Sequence, residues 1–149
     1  MTEIGFYHLT TSSLERALPR LLEKTLDARK RAVVMCASEE RLDFLNGALW
    51  TIGKLTFIPH GSSKEGFAED QPIWLTTTDE NPNKAQFLIL TDGVESPSLG
   101  TYERCLDLFD GNDDEVLAQA RERWKKYKEQ GHTVTYWKQI KSGVWEKKA

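Results

Sequence analysis

The side chains that most clearly offer chemistry lie in one stretch, RERWKKYKEQG, at positions 121–131. Its first eight residues hold five cations, one anion and two aromatic rings. Spacings of four and three residues put Arg121, Lys125 and Lys128 along one side of a predicted helix. They border the apolar stripe that carries Trp124. An apolar wall edged by cations suits an acidic peptide that ends in an aromatic residue, because the wall takes the ring and a cation takes the carboxylate. These four residues are our candidate peptide-binding site.

The charge of this stretch departs from that of the rest of the chain. Of the 149 residues, positions 1–120 hold 11 Lys+Arg and 20 Asp+Glu, a formal charge of −9, whereas positions 121–149 hold 9 and 3, a formal charge of +6. A body this acidic is a poor general binder of nucleic acid, because phosphate contacts need cations over a broad surface. A local basic end fits a small acidic partner better. The alternative is a solvated helix face followed by a frayed basic tail, with Trp124 packed in the core and the cations favoured by the helix dipole.

A second candidate surface lies near the middle of the chain. Trp50 ends a predicted helix, and Phe57 lies on a short predicted strand that stops at Pro59. Large aromatic side chains at the ends of elements are often half exposed, and they then anchor protein interfaces. We interpret these three residues as a candidate partner interface. Complete burial of both rings in the core is the alternative.

Residues suited to catalysis are sparse. His60 precedes a Gly-Ser pair, and Asp92 follows a buried strand at the edge where α/β enzymes place active residues. No G-x-S-x-G elbow is present in the sequence, and no set of His, Cys and Asp has the spacing of metal ligands. The turn after the first strand, HLTTSSLE, has no glycine that would bring a phosphate close to backbone N–H groups. We therefore expect no catalytic residue, no cofactor and no metal. An α/β enzyme acting around His60 and Asp92, and a direct binder of single-stranded nucleic acid, are the alternatives.

The elements that would hold these residues follow from two hydrophobic periodicities. Continuous or alternating apolar runs predict strands, and apolar residues spaced by three and four predict helices. The predicted strands are Glu3–Leu9, Arg31–Ala37, Leu55–His60, Pro72–Leu75, Gln86–Thr91, Cys105–Phe109 and Thr133–Lys138. The predicted helices begin near Ser12, Ser38 and Asp113, and the last of them ends at Gln130, before Gly131. This order predicts an α/β domain with a mostly parallel sheet and helices on both faces.

Local signals refine the first helix and the domain boundaries. Ser12 and Glu15 match the capping-box pattern, and Pro19 predicts a kink or a restart of the helix. Length indicates one domain, over residues 1–138, followed by a basic and loosely ordered extension over residues 139–149.

Two features indicate the compartment. The cysteines, Cys36 and Cys105, each lie in an apolar run, which is typical of a reduced, cytoplasmic chain rather than of a disulfide framework. The N-terminal sequence lacks the pattern of a signal peptide, and no apolar run approaches the ~20 residues of a membrane span. We expect no association with a membrane.

Six segments of the sequence, taken in order, resemble the chi subunit of bacterial DNA polymerase III. The shared pieces are FYHL, ALW, FIPH, PIWL, DLFDG and ARERWKKYKEQGHTVTYWKQ. No single piece is a strict signature, and their order and spacing together carry the resemblance. It implies a non-enzymatic, Rossmann-like α/β protein without a working nucleotide site.

The resemblance also implies partners. Members of this family join the clamp loader through the psi subunit, and they bind the acidic C-terminal tail of single-stranded DNA-binding protein, which ends in aspartates, proline and phenylalanine. The family's tail-binding Arg, aromatic residue and Lys fall on Arg121, Trp124 and Lys125, with tryptophan where a tyrosine also occurs. The psi-facing aromatic residues fall on Trp50 and Phe57. DNA is contacted only indirectly, and the extension past TYWK is given no role.

Overall fold

The structure, a computed structural model, describes residues 2–52, 59–140 and 144–148, and the backbone alone at 50–52. Its strands are β1 (Glu3–Leu9), β2 (Ala32–Met35), β3 (His60–Gly61), β4 (Ile73–Thr76), β5 (Phe87–Thr91), β6 (Arg104–Asp110), β7 (Thr133–Gln139) and β8 (Trp145–Lys147). Its α-helices are α1 (Leu14–Asp27), α2 (Glu39–Ile52) and α3 (Asp114–Glu129). No helix within these described ranges is long and apolar enough to cross a membrane.

The strands form a single sheet in the order β3-β4-β2-β5-β6-β1-β7-β8. Neighbouring strands are parallel, apart from the antiparallel pair of β7 and β8 at one edge. The hydrophobic core has two parts, because α1 and α2 pack against one face of the sheet and α3 packs against the other. The predicted α/β fold, with a mostly parallel sheet between helices, is confirmed.

The interior strand β2 shows why the sheet is buried on both sides. Ala32 and Val34 face α1 and α2, whereas Val33 and Met35 face α3. All four side chains are buried, so the apolar run is continuous rather than alternating. Full burial of one such aliphatic side chain contributes about 1.5–3 kcal/mol relative to its exposure.

The two cysteines lie on opposite faces of this sheet, each as a buried free thiol. Burial is the main cause that raises the pKa of Cys36 to about 12, and burial also raises the pKa of Cys105. Both thiols are therefore protonated at neutral pH and poor nucleophiles.

The first helix begins differently from the prediction. The N-cap residue of α1 is Ser13, and its side chain makes no capping hydrogen bond. The Ser12 hydroxyl instead accepts a hydrogen bond from Gln139 Nε2 at 2.9 Å. The predicted capping box of Ser12 and Glu15 is therefore wrong, because a residue distant in the chain occupies the Ser12 hydroxyl. The helix also continues through Pro19 without restarting.

The end of the chain is more ordered than predicted. β7 extends to Gln139, and β8 adds a further strand beside it. The Trp145 ring packs edge-on against Tyr7, with 5.0 Å between centroids, and Tyr7 in turn stacks on Trp137. The expectation of a loosely ordered end is thus wrong for Trp145–Lys147, because Trp145 finds an aromatic partner on the sheet face.

Candidate functional site

Helix α3 carries the basic stretch, and its two ends are defined as the sequence predicts. The Asp113 carboxylate caps the N-terminus by accepting hydrogen bonds from the backbone N–H groups of Glu115 and Val116. Gly131 follows the helix with φ of 89°, in the left-handed region that favours glycine. A short turn then leads directly into β7, so α3 and β7 are neighbours both in the chain and in space.

Two of the five cations in the stretch form ion pairs with acidic side chains of the protein itself. Arg123 is buried, and its guanidinium donates two hydrogen bonds, of 2.8 and 3.0 Å, to the Asp107 carboxylate. Lys126 is exposed, and its Nζ lies 2.8 Å from Glu95 Oε1. Counting charges along the sequence does not separate these two from the others. Two signals in the sequence indicate that Arg123 forms a buried ion pair. One is an acidic residue inside a buried strand, and the other is the position of Arg123 in the buried stripe of α3.

The other three cations remain open to solvent. Arg121, Lys125 and Lys128 are exposed, and none of them forms an ion pair with an acidic side chain in the described part of the chain. The Lys128 ammonium lies over the Trp124 ring, 5.1 Å from its centroid. The predicted side of the helix therefore presents three exposed positive charges, and one of them, that of Lys128, contacts the Trp124 indole.

The Trp124 ring is half-buried. It packs edge-on against Phe6 of β1 and Tyr136 of β7, with centroid separations of 5.7 and 5.8 Å. The contacts with Phe6 and Tyr136 hold the ring in one orientation, and part of its surface stays exposed beside Lys128. Complete burial of Trp124 in the core is thereby excluded.

Sequence reasoning missed the residues opposite α3. Tyr136 shares a hydrogen bond with His8 Nδ1, and Lys138 lies beside His8 on the neighbouring strand. Burial is the main cause that lowers the pKa of His8, and the charges of Lys138 and Arg121 lower it further. One cation from α3 and one from β7 therefore both act on His8, against the opposing charge of Asp110. The available signal was the two-residue spacing of Tyr136 and Lys138, which puts both on one face of a strand.

These residues form a surface that we call the α3–β7 groove. Its members are Arg121, Trp124, Lys125 and Lys128 of α3 and Tyr136 and Lys138 of β7. Below them, a Cβ at Gly111 would come within 1.7 Å of the His8 ring, so only glycine leaves room for His8 there. This surface combines two aromatic rings in contact with exposed cations from both α3 and β7, which suits a ligand with carboxylates and one apolar ring.

The second predicted surface is described only in part. Phe57 and the side chain of Trp50 lie outside the described residues. Pro59 is half-buried and directly precedes β3, the edge strand of the sheet.

His60 and Asp92 do not form a common site. His60 pairs with Ile73 at the start of β4, whereas Asp92 follows the end of β5 and forms an ion pair with Arg41, at 2.9 Å. The strands β4 and β2 lie between them. At ~4.8 Å between neighbouring strands and ~3.3 Å per residue along them, the two residues are on the order of 20 Å apart. An enzyme that uses this pair is therefore inconsistent with the fold.

The turn between β1 and α1 is occupied by the protein itself. The backbone N–H groups of Thr10, Thr11 and Ser12 all donate to Gln139 Oε1, over 3.3, 3.0 and 2.9 Å. In a dinucleotide-binding fold this turn presents its N–H groups to a phosphate. Here an amide oxygen from the end of β7 accepts them. Across the described ranges, no three His, Cys, Asp or Glu side chains are grouped as a metal ion would require.

Comparison with known proteins points in one direction. The profile of the family described as DNA polymerase III chi subunit, HolC, matches residues 1–135. A probable DNA polymerase III subunit chi from Rickettsia prowazekii (strain Madrid E) is 28% identical over 109 residues, which cover 73% of this chain and 66% of that protein. The DNA polymerase III subunit chi of Pseudomonas aeruginosa is 26% identical over 138 residues, covering 90% of this chain and 94% of that protein. The Haemophilus influenzae protein of the same name is 27% identical over 134 residues, with coverages of 87% and 92%.

Proposed function

The chain belongs to the family of DNA polymerase III chi subunits, and from this premise we propose that it links the replicase clamp loader to single-stranded DNA-binding protein. Membership in the family makes it an accessory subunit of a replicative DNA polymerase. The proposed link is the acidic C-terminal tail of single-stranded DNA-binding protein, held in the α3–β7 groove. One observation carries this proposal: the exposed cations Arg121, Lys125 and Lys128 share one side of α3, beside the half-buried Trp124, and the Lys128 ammonium lies over its ring.

The groove supports a defined orientation of the tail. The terminal phenylalanine ring packs on the wall made by Trp124 and Tyr136, where edge-on aromatic contacts are favourable. The terminal carboxylate accepts charge-assisted hydrogen bonds from Arg121 or Lys125. The aspartates that precede the terminal residues meet the remaining cations, Lys128 and Lys138. The ring, the terminal carboxylate and the aspartates of the tail thus each have a counterpart in the groove.

The tail alone gives a modest affinity. A short peptide buries little surface, and it loses conformational freedom when it binds. Several tails on one protein-coated strand raise the effective concentration and offset the weak single contact.

The same charges argue against direct contact with DNA. The rest of the chain carries 20 Asp+Glu against 11 Lys+Arg at positions 1–120, and two cations of α3 are neutralised by Asp107 and Glu95. A negative body repels phosphates outside the groove. We therefore propose that the protein reaches DNA only through its partner.

The second part of the proposal concerns the clamp loader. We assign the contact with the psi subunit to Trp50, Phe57 and Pro59, where the resemblance puts the psi-facing aromatic residues. This assignment is supported by the resemblance and by the position of Pro59 beside the edge strand β3.

Titration calorimetry with a synthetic acidic peptide ending in Asp-Asp-Pro-Phe tests the groove. Lys125→Glu removes one attraction and adds a repulsion, so we expect it to weaken binding at least about tenfold. Lys126→Glu is the matched control, because it makes the same change of net charge at the next lysine of α3. The side chain of Lys126 pairs with Glu95 and is not part of the groove. The affinity of this control should stay within about twofold of wild type. Absence of peptide binding to the wild-type protein would refute the proposed function, and equal losses in the two variants would refute the groove as its location.

A further inference from the structure

The extension at the end of the chain reaches the same groove. β8 pairs with β7 in antiparallel register, with Lys147 opposite Trp137 and Glu146 opposite Lys138. One residue further, the Lys148 N–H donates to the Tyr136 carbonyl oxygen at 2.8 Å. Lys148 therefore lies directly beside Tyr136, which is a wall of the groove.

The register also decides which way each lysine points. Residues directly opposite each other in an antiparallel pair project from the same face of the sheet. Tyr136 contacts Trp124 on the α3 face, whereas Trp137 stacks on Tyr7 on the other face. Lys148 thus shares the α3 face with the groove, and Lys147 projects from the opposite face.

An ion pair supports this orientation independently. Lys148 Nζ lies 2.7 Å from Glu146 Oε1, as expected of residues two apart on one face of a strand. Glu146 is opposite Lys138 on the rim of the groove. Both side chains of the pair are about half exposed, at 46% and 52%. Pairs this exposed are weak, so a ligand carboxylate competes with Glu146 for Lys148.

Building on the proposed function, we propose that Lys148 is a further cation of the α3–β7 groove and binds an acidic side chain of the tail upstream of its terminal phenylalanine. The hydrogen-bonded pairing sets the Cα atoms of Lys148 and Tyr136 ~5.5 Å apart, so Lys148 extends the rim of the groove by one strand. Glu146 holds the ammonium on the α3 face when the groove is empty. The match to the family profile covers residues 1–135, so Lys148 lies in the part of the chain beyond that match.

The test compares two neighbouring lysines that make the same change of net charge. Titration of the acidic peptide into Lys148→Gln should show affinity about threefold weaker than wild type, a loss typical of one exposed charge pair. Lys147→Gln should bind as wild type does. A peptide whose upstream aspartates are replaced by asparagine should bind Lys148→Gln and wild type equally. Glu146→Gln should strengthen binding of the original peptide, because it removes the competing carboxylate. Circular dichroism checks that each variant is folded.

The outcomes separate this inference from the proposed function. If Arg121→Ala abolishes peptide binding while Lys148→Gln and Lys147→Gln both match wild type, the groove stands and the role of Lys148 is refuted. Equal losses in the two lysine variants also refute it, because they would reflect net charge alone. If the wild-type protein does not bind the peptide, the proposed function and this inference fall together.

Discussion

At the scale of single residues, Arg123 and Lys125 show how position decides what a cation does. They are two residues apart on α3, and successive residues of a helix project ~100° apart, so the two side chains leave the helix in different directions. Arg123 enters the core, where the Asp107 carboxylate accepts both of its hydrogen bonds. Lys125 stays in solvent. The buried ion pair is therefore structural, and the exposed lysine is available for a ligand.

The buried pair makes a prediction about stability. Asp107→Asn removes the negative charge and leaves Arg123 buried without a counter-ion, so we expect a loss of about 3–5 kcal/mol in the free energy of unfolding. Urea denaturation followed by circular dichroism measures it. The double variant Asp107→Leu with Arg123→Met should recover most of the loss, because it removes both buried charges. A loss below about 1 kcal/mol in the single variant would contradict a buried, ionised pair.

At the scale of elements, the groove depends on α3 and β7 being held together. α3 is defined by the Asp113 cap at its start and by Gly131 at its end, and β7 follows within a short turn. The Trp124 ring then contacts both β1 and β7. Both rims of the groove thus come from consecutive elements, and β8 adds the next strand along the same edge of the sheet.

The helix cap allows stability and binding to be separated. Asp113→Ala leaves two backbone N–H groups of α3 without an acceptor, and we expect a loss of about 1 kcal/mol in the free energy of unfolding. The cap lies eleven residues before Trp124, or roughly 16 Å along the helix. Peptide affinity should therefore be unchanged. Thermal denaturation and calorimetry on the same sample give both quantities. A matching drop in affinity would mean that the groove depends on the first turn.

At the scale of the whole molecule, the separation of charge decides which partners approach. The acidic body, with −9 from positions 1–120, repels polyanions, whereas the groove concentrates exposed cations on one side of α3. Under the proposed function, long-range attraction would bring an acidic tail to the groove, and salt would screen that attraction. A short acidic peptide with an apolar end contacts the cations of the groove without approaching the acidic body, which a long nucleic acid does less well.

This charge pattern predicts a dependence on salt. Raising NaCl from 0.05 to 0.5 M should weaken binding of the acidic peptide by about tenfold, because the contacts are exposed ion pairs. Calorimetric titrations across that range provide the measurement. Fluorescence anisotropy with a naked single-stranded oligonucleotide should show little binding at any of these concentrations. Oligonucleotide binding as tight as peptide binding would favour the alternative of a direct nucleic-acid binder.

The sequence by itself determined most of the described elements, though not β8, because hydrophobic periodicity and helix-end signals are local. β1 was predicted at Glu3–Leu9 and lies there, and α3 begins after Asp113 and ends before Gly131, as predicted. The same local spacing put Arg121, Lys125 and Lys128 on one side of the helix. Whether these residues bind a tail remains a prediction, as does the division between residues 1–138 and 139–149.

The partners across the sheet were decided by the tertiary structure alone. Gln139 meets Ser12 across 127 positions of the chain, and Asp107 receives Arg123 because strand β6 lies under α3. Lys148 reaches Tyr136 because β8 pairs with β7, and Trp145 at the start of β8 packs on Tyr7. Periodicity reports which face of an element is apolar, but it carries no information on which distant element will cover that face. That choice follows from packing the whole core at once.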